Sequence, residues 1–258
     1  SLIISISMYT TSNWNFTWLI TGIPITVIFL FLFILWEKHN KLSNPLIDLK
    51  LFDHKSFSLG SVVRFLSFIA NSPIYYLSPF LLINGYGLSS SKTGIYILPG
   101  PLMMAISGPF AGKLSDKMGS YFPRIAGAMC LSISVSLYLF ATILNKEFVM
   151  VAYAFQGLGM GIFGAANTSY IFTSVKENNY GSVNAFLTLT RTSGNIIGIS
   201  ISTALVLAFL SLSNNELGSV KPDTLNYISS ISKAFILPTL LSIITFILTI
   251  SLKDEKII

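Results

Sequence analysis

Long stretches without a single charge dominate this chain. Residues 1–36 hold no Asp, Glu, Lys or Arg; neither do 93–112, 125–145, 148–175, 192–215 and 234–252, and 56–91 is interrupted only by Arg64. About 20 mostly apolar residues cross a bilayer as a helix, so each run is long enough to span a membrane. The rest of the chain cannot offset them: 10% of its 258 residues are charged and 52% are hydrophobic, where a soluble domain carries about 25% charged residues. A soluble enzyme, a disordered chain and a nucleic-acid binder are therefore excluded. The runs far exceed the strands of a membrane barrel and lack its alternation. The expected fold class is an all-α polytopic membrane protein with about seven transmembrane helices,.

The spans fall at roughly 15–36, 57–84, 93–112, 122–144, 148–172, 182–211 and 232–252. Turn-forming strings separate them, among them Ser43-Asn44-Pro45, Asn84-Gly85-Tyr86-Gly87, Met118-Gly119-Ser120 and Asn178-Asn179-Tyr180-Gly181,. The segment 212–231, with Pro222-Asp223, reads as the longest loop on its side. Alternate loops carry Lys38, Lys41, Lys50, Lys55, Lys113, Lys117, Arg124, Lys176, Lys253 and Lys256, against Lys92, Lys146, Lys221 and Lys233 on the other side. Basic residues favour the cytoplasmic face. The amino end is thus expected outside and the carboxy end in the cytoplasm of a cell-membrane protein. The net charge of +6 is explained by this orientation.

Side chains within the spans narrow the function. The carboxylates all lie in or beside loops, and so do His39 and His54. A proton-coupled transporter usually carries a titratable acid or histidine inside the membrane, so these residues lack a proton site of their own. Arg64, about seven residues into its span, has a stem long enough to snorkel towards the headgroups. Arg191 is some ten residues into its span, where a charge is costly unless hydrated or paired,. A water-lined cavity or an acid on another bundle is expected beside it, with inward snorkelling as the alternative. Asn71, Tyr75 and Tyr76 in the second span, and Gln156 and Asn167 in the fifth, are candidates to line a substrate cavity with Arg191. Tyrosine rings beside amides suit an amphipathic or cationic ligand. Pro73, Pro79, Pro99, Pro101 and Pro109 mark places where the second and third spans can bend,.

Gly159-Met160-Gly161-Ile162-Phe163-Gly164 matches a dinucleotide-binding pattern, but no strand precedes it and it lies in an uncharged span,. The better reading is a small residue every four positions, Gly157, Gly161, Ala165 and Ser169, repeated by Gly194, Gly198 and Ser202; such stripes let helices pack closely. Cys130 reads as a small packing residue. No set of His, Cys, Asp or Glu has metal-ligand spacing, no catalytic cluster is present, and no cofactor or enzymatic activity is expected. A retinal protein would need a lysine deep in a late span, and Lys233 lies at the rim of the last one. A seven-helix receptor or sensor remains as the alternative class.

Gly112-Lys113-Leu114-Ser115-Asp116-Lys117-Met118-Gly119 occupies a short loop between two spans. It resembles the Gly-x-Leu-x-Asp-Arg-x-Gly loop of the major facilitator superfamily, in the copy found in the carboxy-terminal half. Lys117 replaces arginine and Ser120 replaces a further basic residue; Arg124 is placed to supply that charge. Glu37, Asn44-Pro45-Leu46-Ile47-Asp48-Leu49-Lys50-Leu51-Phe52 and Phe57 resemble the segment preceding the carboxy-terminal bundle of the 14-helix drug:proton antiporters. So do Ile97-Leu98-Pro99-Gly100 and Arg191-Thr192-Ser193-Gly194-Asn195-Ile196-Ile197-Gly198, with Thr192 where glutamine is usual.

The resemblance implies that 1–36 end a central linker region with one extra transmembrane helix. It makes 37–56 a cytoplasmic linker and 57–258 a six-helix transporter bundle. It also implies proton-coupled efflux of lipophilic or cationic compounds by alternating access, with Asp116 in a cytoplasmic latch. The partners implied are the lipid bilayer, a small-molecule substrate, protons and an amino-terminal six-helix bundle that carries the acids. A metabolite transporter of the same fold is the nearer alternative, because fold does not choose substrate.

Overall fold

A computed structural model of the chain describes residues 49–141, 144–173, 175–213 and 224–252, with Ile28, Phe31 and Leu32. The expected span at 15–36, apart from those three residues, the linker up to Asp48 and the Pro222-Asp223 turn lie outside the described residues. The described residues contain helices and turns and no strand. Among the described residues, six helical segments are long and apolar enough to cross a membrane: Lys55–Gly85, Ser90–Met118, Tyr121–Phe140, Glu147–Phe172, Glu177–Leu212 and Thr224–Ser251.

Local chemistry sets their limits. A short turn of helix, Leu49–Asp53, leads into α1 (Lys55–Phe80). This helix carries Pro73 and Pro79 and ends in one wide turn, Leu81–Gly85. The reversal passes through Gly87 at φ 65°, in the left-handed region that glycine enters without steric cost,. Ser89 then caps α2 (Ser90–Ile97) by accepting from the Lys92 amide,. Pro99 opens α3 (Pro99–Met118), where a missing N–H costs nothing, and Gly119 closes it at φ 84°,. α4 (Tyr121–Leu137) tightens into Tyr138–Phe140. α5 (Glu147–Phe172) begins on an acid, favourable at a helix amino end,. α6 (Tyr180–Ser213) runs for 34 residues,. The last span is broken at Phe235 into α7 (Thr224–Ala234) and α8 (Ile236–Ser251). The connection expected at 212–231 is therefore shorter, because Thr224 already starts a helix. Leu225 faces outward while Ile228 and Ile231 are buried, a helical spacing that hides one face,.

α1 and α5 occupy the middle of the bundle. α1 packs on α6, α8 and α5; α5 is gripped by α3 and α4; and α4 meets α8. Towards the Gly87 end, Ile74, Leu81, Tyr138, Tyr153, Ile231 and Phe235 form one apolar core. Tyr138 stacks on Phe235 with ring centroids 4.5 Å apart. Towards the Gly119 end, Leu51, Phe57, Tyr170, Ile171, Val183 and Leu187 form another. The outer surface is apolar as well: Phe110, Phe122 and Leu212 are at least two-thirds exposed. A surface of this kind is tolerated in lipid, where side-chain apolarity carries no penalty.

Candidate functional site

The central helices hold the polar groups. On α1, Ser61, Arg64, Phe68, Asn71 and Tyr75 recur at helical spacing and share one flank,. Asn71 is buried and its Nδ2 donates to the Ser67 carbonyl at 2.9 Å, while its Oδ1 has no partner among the described residues. Tyr75 is 42% exposed and meets Tyr153 of α5 edge-on at 6.2 Å. Tyr76 points elsewhere, against Phe80 of its own helix at 5.2 Å. Ser78, deeper in the core, donates to the Ile74 carbonyl at 2.6 Å and lies 2.5 Å from the Tyr138 hydroxyl.

On α5, Gln156 and Asn167 are both fully buried. Asn167 Nδ2 donates to the Gly60 carbonyl of α1 at 3.1 Å and leaves its Oδ1 unpaired. Gln156 lies beside Tyr75, yet neither its nitrogen nor its oxygen has a hydrogen-bond partner among the described residues. A buried amide left unpaired is costly. A ligand or water is the usual remedy. The α1–α5 junction can therefore supply several hydrogen bonds from a largely apolar, aromatic wall.

The cations behave in three ways. Arg64 does not reach for the headgroups as its long stem allows. Its Nη1 donates to Thr168 Oγ1 of α5 at 3.1 Å, and its guanidinium lies 5.3 Å from the Phe68 ring centroid. Arg191 is exposed on α6, on a stripe with Asn184, Thr188 and Thr192. The two threonine hydroxyls are satisfied by their own helix, at 2.9 and 3.0 Å. Arg124, which the sequence offers as a substitute for the basic residue missing from the loop string, lies inside the bundle. It is fully buried, its guanidinium 3.7 Å from the Tyr170 ring centroid, and it donates to the Leu252 carbonyl. The reason is position: Arg124 stands four residues into α4, on the face turned towards α5 and α8.

The string expected as a loop is mostly helical, since residues 112–118 form the last turns of α3, and Ser115 within it is buried. Asp116 and Lys117 are exposed and Gly112 is partly so. The Gly119 amide closes the helix on the Ser115 carbonyl at 3.0 Å. Asp116 makes no ion pair among the described residues.

The glycines stand at helix crossings. A methyl group added at Gly157 would meet the backbone of Gly100, and one at Gly161 would meet Ser107, both on α3. At Gly194 it would meet Phe65 and Phe68, and at Gly198 Ile69 and Ser72, all on α1. Ser72 Oγ adds a hydrogen bond to the Asn195 carbonyl at 3.1 Å. One crossing, held by two glycines, escaped the sequence reading. Gly127 of α4 faces the Phe163 backbone, and Gly159 faces Leu131, so α5 is also pressed against α4. In the 159–164 string the first glycine serves α4, the second serves α3, and Gly164 meets nothing within 4 Å.

Six apolar spans, a polar seam between the two central helices and a glycine-closed loop define a multi-pass transport bundle. The Major Facilitator Superfamily profile matches residues 1–199, and the chain belongs to that family. It is 27% identical over 235 residues to the riboflavin transporter RibZ of Clostridioides difficile, covering 91% of this chain and 50% of that protein. It is 28% identical over 180 residues to the multidrug resistance protein Stp of Mycobacterium tuberculosis, covering 70% of this chain and 33% of that protein. It is 26% identical over 204 residues to the quinolone resistance protein NorB of Staphylococcus aureus, covering 78% and 43%. The chain thus spans half or less of the length of these relatives.

Proposed function

We propose that these residues form the carboxy-terminal bundle of a secondary transporter that exports lipophilic or cationic organic compounds in exchange for protons. One observation carries the reading. Asn184, Thr188, Arg191 and Thr192 lie exposed on one face of α6, within a segment long and apolar enough to cross a membrane. Such a face is not stable against hydrocarbon; it suits a water-filled cavity or a second bundle. The described acids, Asp53, Asp116, Glu147 and Glu177, all lie at or near helix ends. Proton coupling in this reading therefore falls to residues of that second bundle.

In this reading Tyr75 faces the cavity, and the buried amides of Asn71, Gln156 and Asn167 stand behind it in the same wall, to be uncovered as α1 and α5 shift. Asp116 belongs to a latch on the cytoplasmic face, with the carboxy end on the same side. The names of Stp and NorB support export of drugs; that of RibZ supports the metabolite alternative. The protein acts as a carrier rather than an enzyme.

Two measurements test this. An antibody to the carboxy-terminal tail, used on source membranes, should detect a polypeptide about twice the length of this chain. Vesicles containing that polypeptide should extrude ethidium only while a proton gradient is maintained, and Asp116→Asn should slow extrusion about tenfold or more, about 1.4 kcal/mol of transition-state stabilisation. Extrusion that ignores collapse of the gradient sinks the coupling. An unchanged rate in Asp116→Asn sinks the latch.

A further inference from the structure

Arg64 and Arg191 belong to different helices, but the helix register brings them to one level. α1 and α6 run in the same direction, being the first and fifth of six alternating spans. Gly198 lies on Ile69 and Ser72, and Gly194, four residues earlier, lies on Phe65 and Phe68. Continuing back along both helices puts Arg191 beside Phe65, next to Arg64. At 1.5 Å per residue, Arg64 stands about 14 Å from the start of α1 and Arg191 about 17 Å from the start of α6. Measured along helices of 26 and 34 residues, both lie inside their spans, in the half nearer the Gly119 end. The two charges are close enough to act on one another.

Nothing described here neutralises them. Thr168 accepts one Arg64 hydrogen bond but carries no charge, and Arg64 Nε is buried without a partner. The described acids all lie at or near helix ends. Two guanidiniums present flat forks of donors that match the two oxygens of a carboxylate. Phe68 supplies an apolar wall beside them. From this geometry we infer that Arg64 and Arg191 form an anion site that receives the carboxylate of a lipophilic organic acid or zwitterion as the transported solute. This deepens, and rests on, the transporter reading: the amides and tyrosines nearer the Gly87 end take the body of the solute, and the arginine pair takes its negative end.

The test uses the complete native polypeptide, purified in a neutral maltoside detergent, with benzoate as probe and benzyl alcohol as its uncharged counterpart at constant ionic strength. Benzoate should raise the melting temperature in a saturable way and benzyl alcohol should not. Arg64→Gln and Arg191→Gln should each raise the half-saturating concentration about tenfold or more, about 1.4 kcal/mol. Should the glutamine variants fail to fold, phenylglyoxal labelling of Arg191 in the unaltered protein, read by mass spectrometry, should be slowed by benzoate. The site is refuted by equal benzoate responses in the unaltered and glutamine proteins, or by labelling that benzoate leaves unchanged. It is also refuted by stabilisation that requires added phosphatidylglycerol, which would make it a lipid headgroup contact. Gradient-driven ethidium extrusion without benzoate binding would remove the anion site and leave the transporter. Benzoate binding with no flux of any tested solute would do the reverse.

Discussion

Replacing Gly157 by alanine should loosen the bundle, while the same change at Gly164, seven residues along α5, should tighten it. The added Cβ at Gly157 would lie 2.8 Å from the Gly100 carbonyl carbon and 2.9 Å from its Cα, with the carbonyl oxygen closer still. Ordinary carbon contacts fall at about 3.5–4.0 Å, and the still closer carbonyl oxygen sets the limit, so α3 must retreat by roughly 1 Å or more. The obstructing atoms are backbone and cannot rotate aside. Overpacking of this kind costs about 1–3 kcal/mol, and a rigid obstacle points to the upper end. Alanine returns about 1 kcal/mol through its better helix propensity, which leaves a net loss of about 2 kcal/mol. At Gly164 nothing stands within 4 Å, so only the gain remains, about 0.5–1 kcal/mol. The two variants should differ by about 3 kcal/mol, more than a hundredfold in the folding equilibrium. Reversible unfolding by sodium dodecyl sulfate in mixed micelles, followed by circular dichroism, reads this difference. If Gly157→Ala proves as stable as Gly164→Ala, the close approach of α3 and α5 is wrong.

Three further expectations are open to the same assay. Arg124→Met should lose on the order of 3 kcal/mol, from the ring contact with Tyr170 and the charge-assisted bond to Leu252,. Arg124→Lys should recover less than half of it, because an ammonium cannot stack as a flat guanidinium does. Tyr138→Phe should cost about 0.6–1.5 kcal/mol by removing the hydroxyl beside Ser78 while keeping the stack on Phe235,. Tyr86, in the turn outside the spans, lies within hydrogen-bond reach of the Ala141 and Leu144 carbonyls, at 3.0 and 3.1 Å. Burial first, and the Glu147 carboxylate second, push its hydroxyl above the usual value of 10.0. Its contribution is thus complete below pH about 10 and declines as pH rises through its elevated value. A pH titration of stability should show this alkaline loss in the unaltered protein and a smaller one in Tyr86→Phe.

The spans were legible because charge is excluded from hydrocarbon whatever the tertiary arrangement. That is why residues 148–172 and the helix Glu147–Phe172 nearly coincide. Gly119 was legible because a turn between two apolar runs leaves few alternatives to glycine. The break at Phe235 and the early start at Thr224 were not, since 224–231 is polar enough to pass for a loop and becomes helical by burying Ile228 and Ile231. Glycine spacing indicated the α5 face that meets α3. It gave no sign of Gly127 or Gly159, whose small size matters only once α4 is known to cross there. Arg124 and the Arg64–Arg191 level were hidden for the same reason: a charge near a span end, or two charges far apart in the chain, acquire meaning only from neighbours that packing selects.

Pro73 has a mechanical consequence. Lacking an N–H, it withdraws the donor that would serve the Ile69 carbonyl, and it is towards this carbonyl that Gly198 of α6 turns its bare Cα. A Cα–H group is a weak and forgiving partner. Tilting the upper part of α1 at this joint therefore sacrifices no strong backbone bond, and α6 can follow it by sliding along a smooth contact. The joint lies between the arginine level below and Tyr75 above. A bend there would change the distance between the two ends of any solute held against this wall while leaving the foundations of the bundle, at the Gly119 end, where they are.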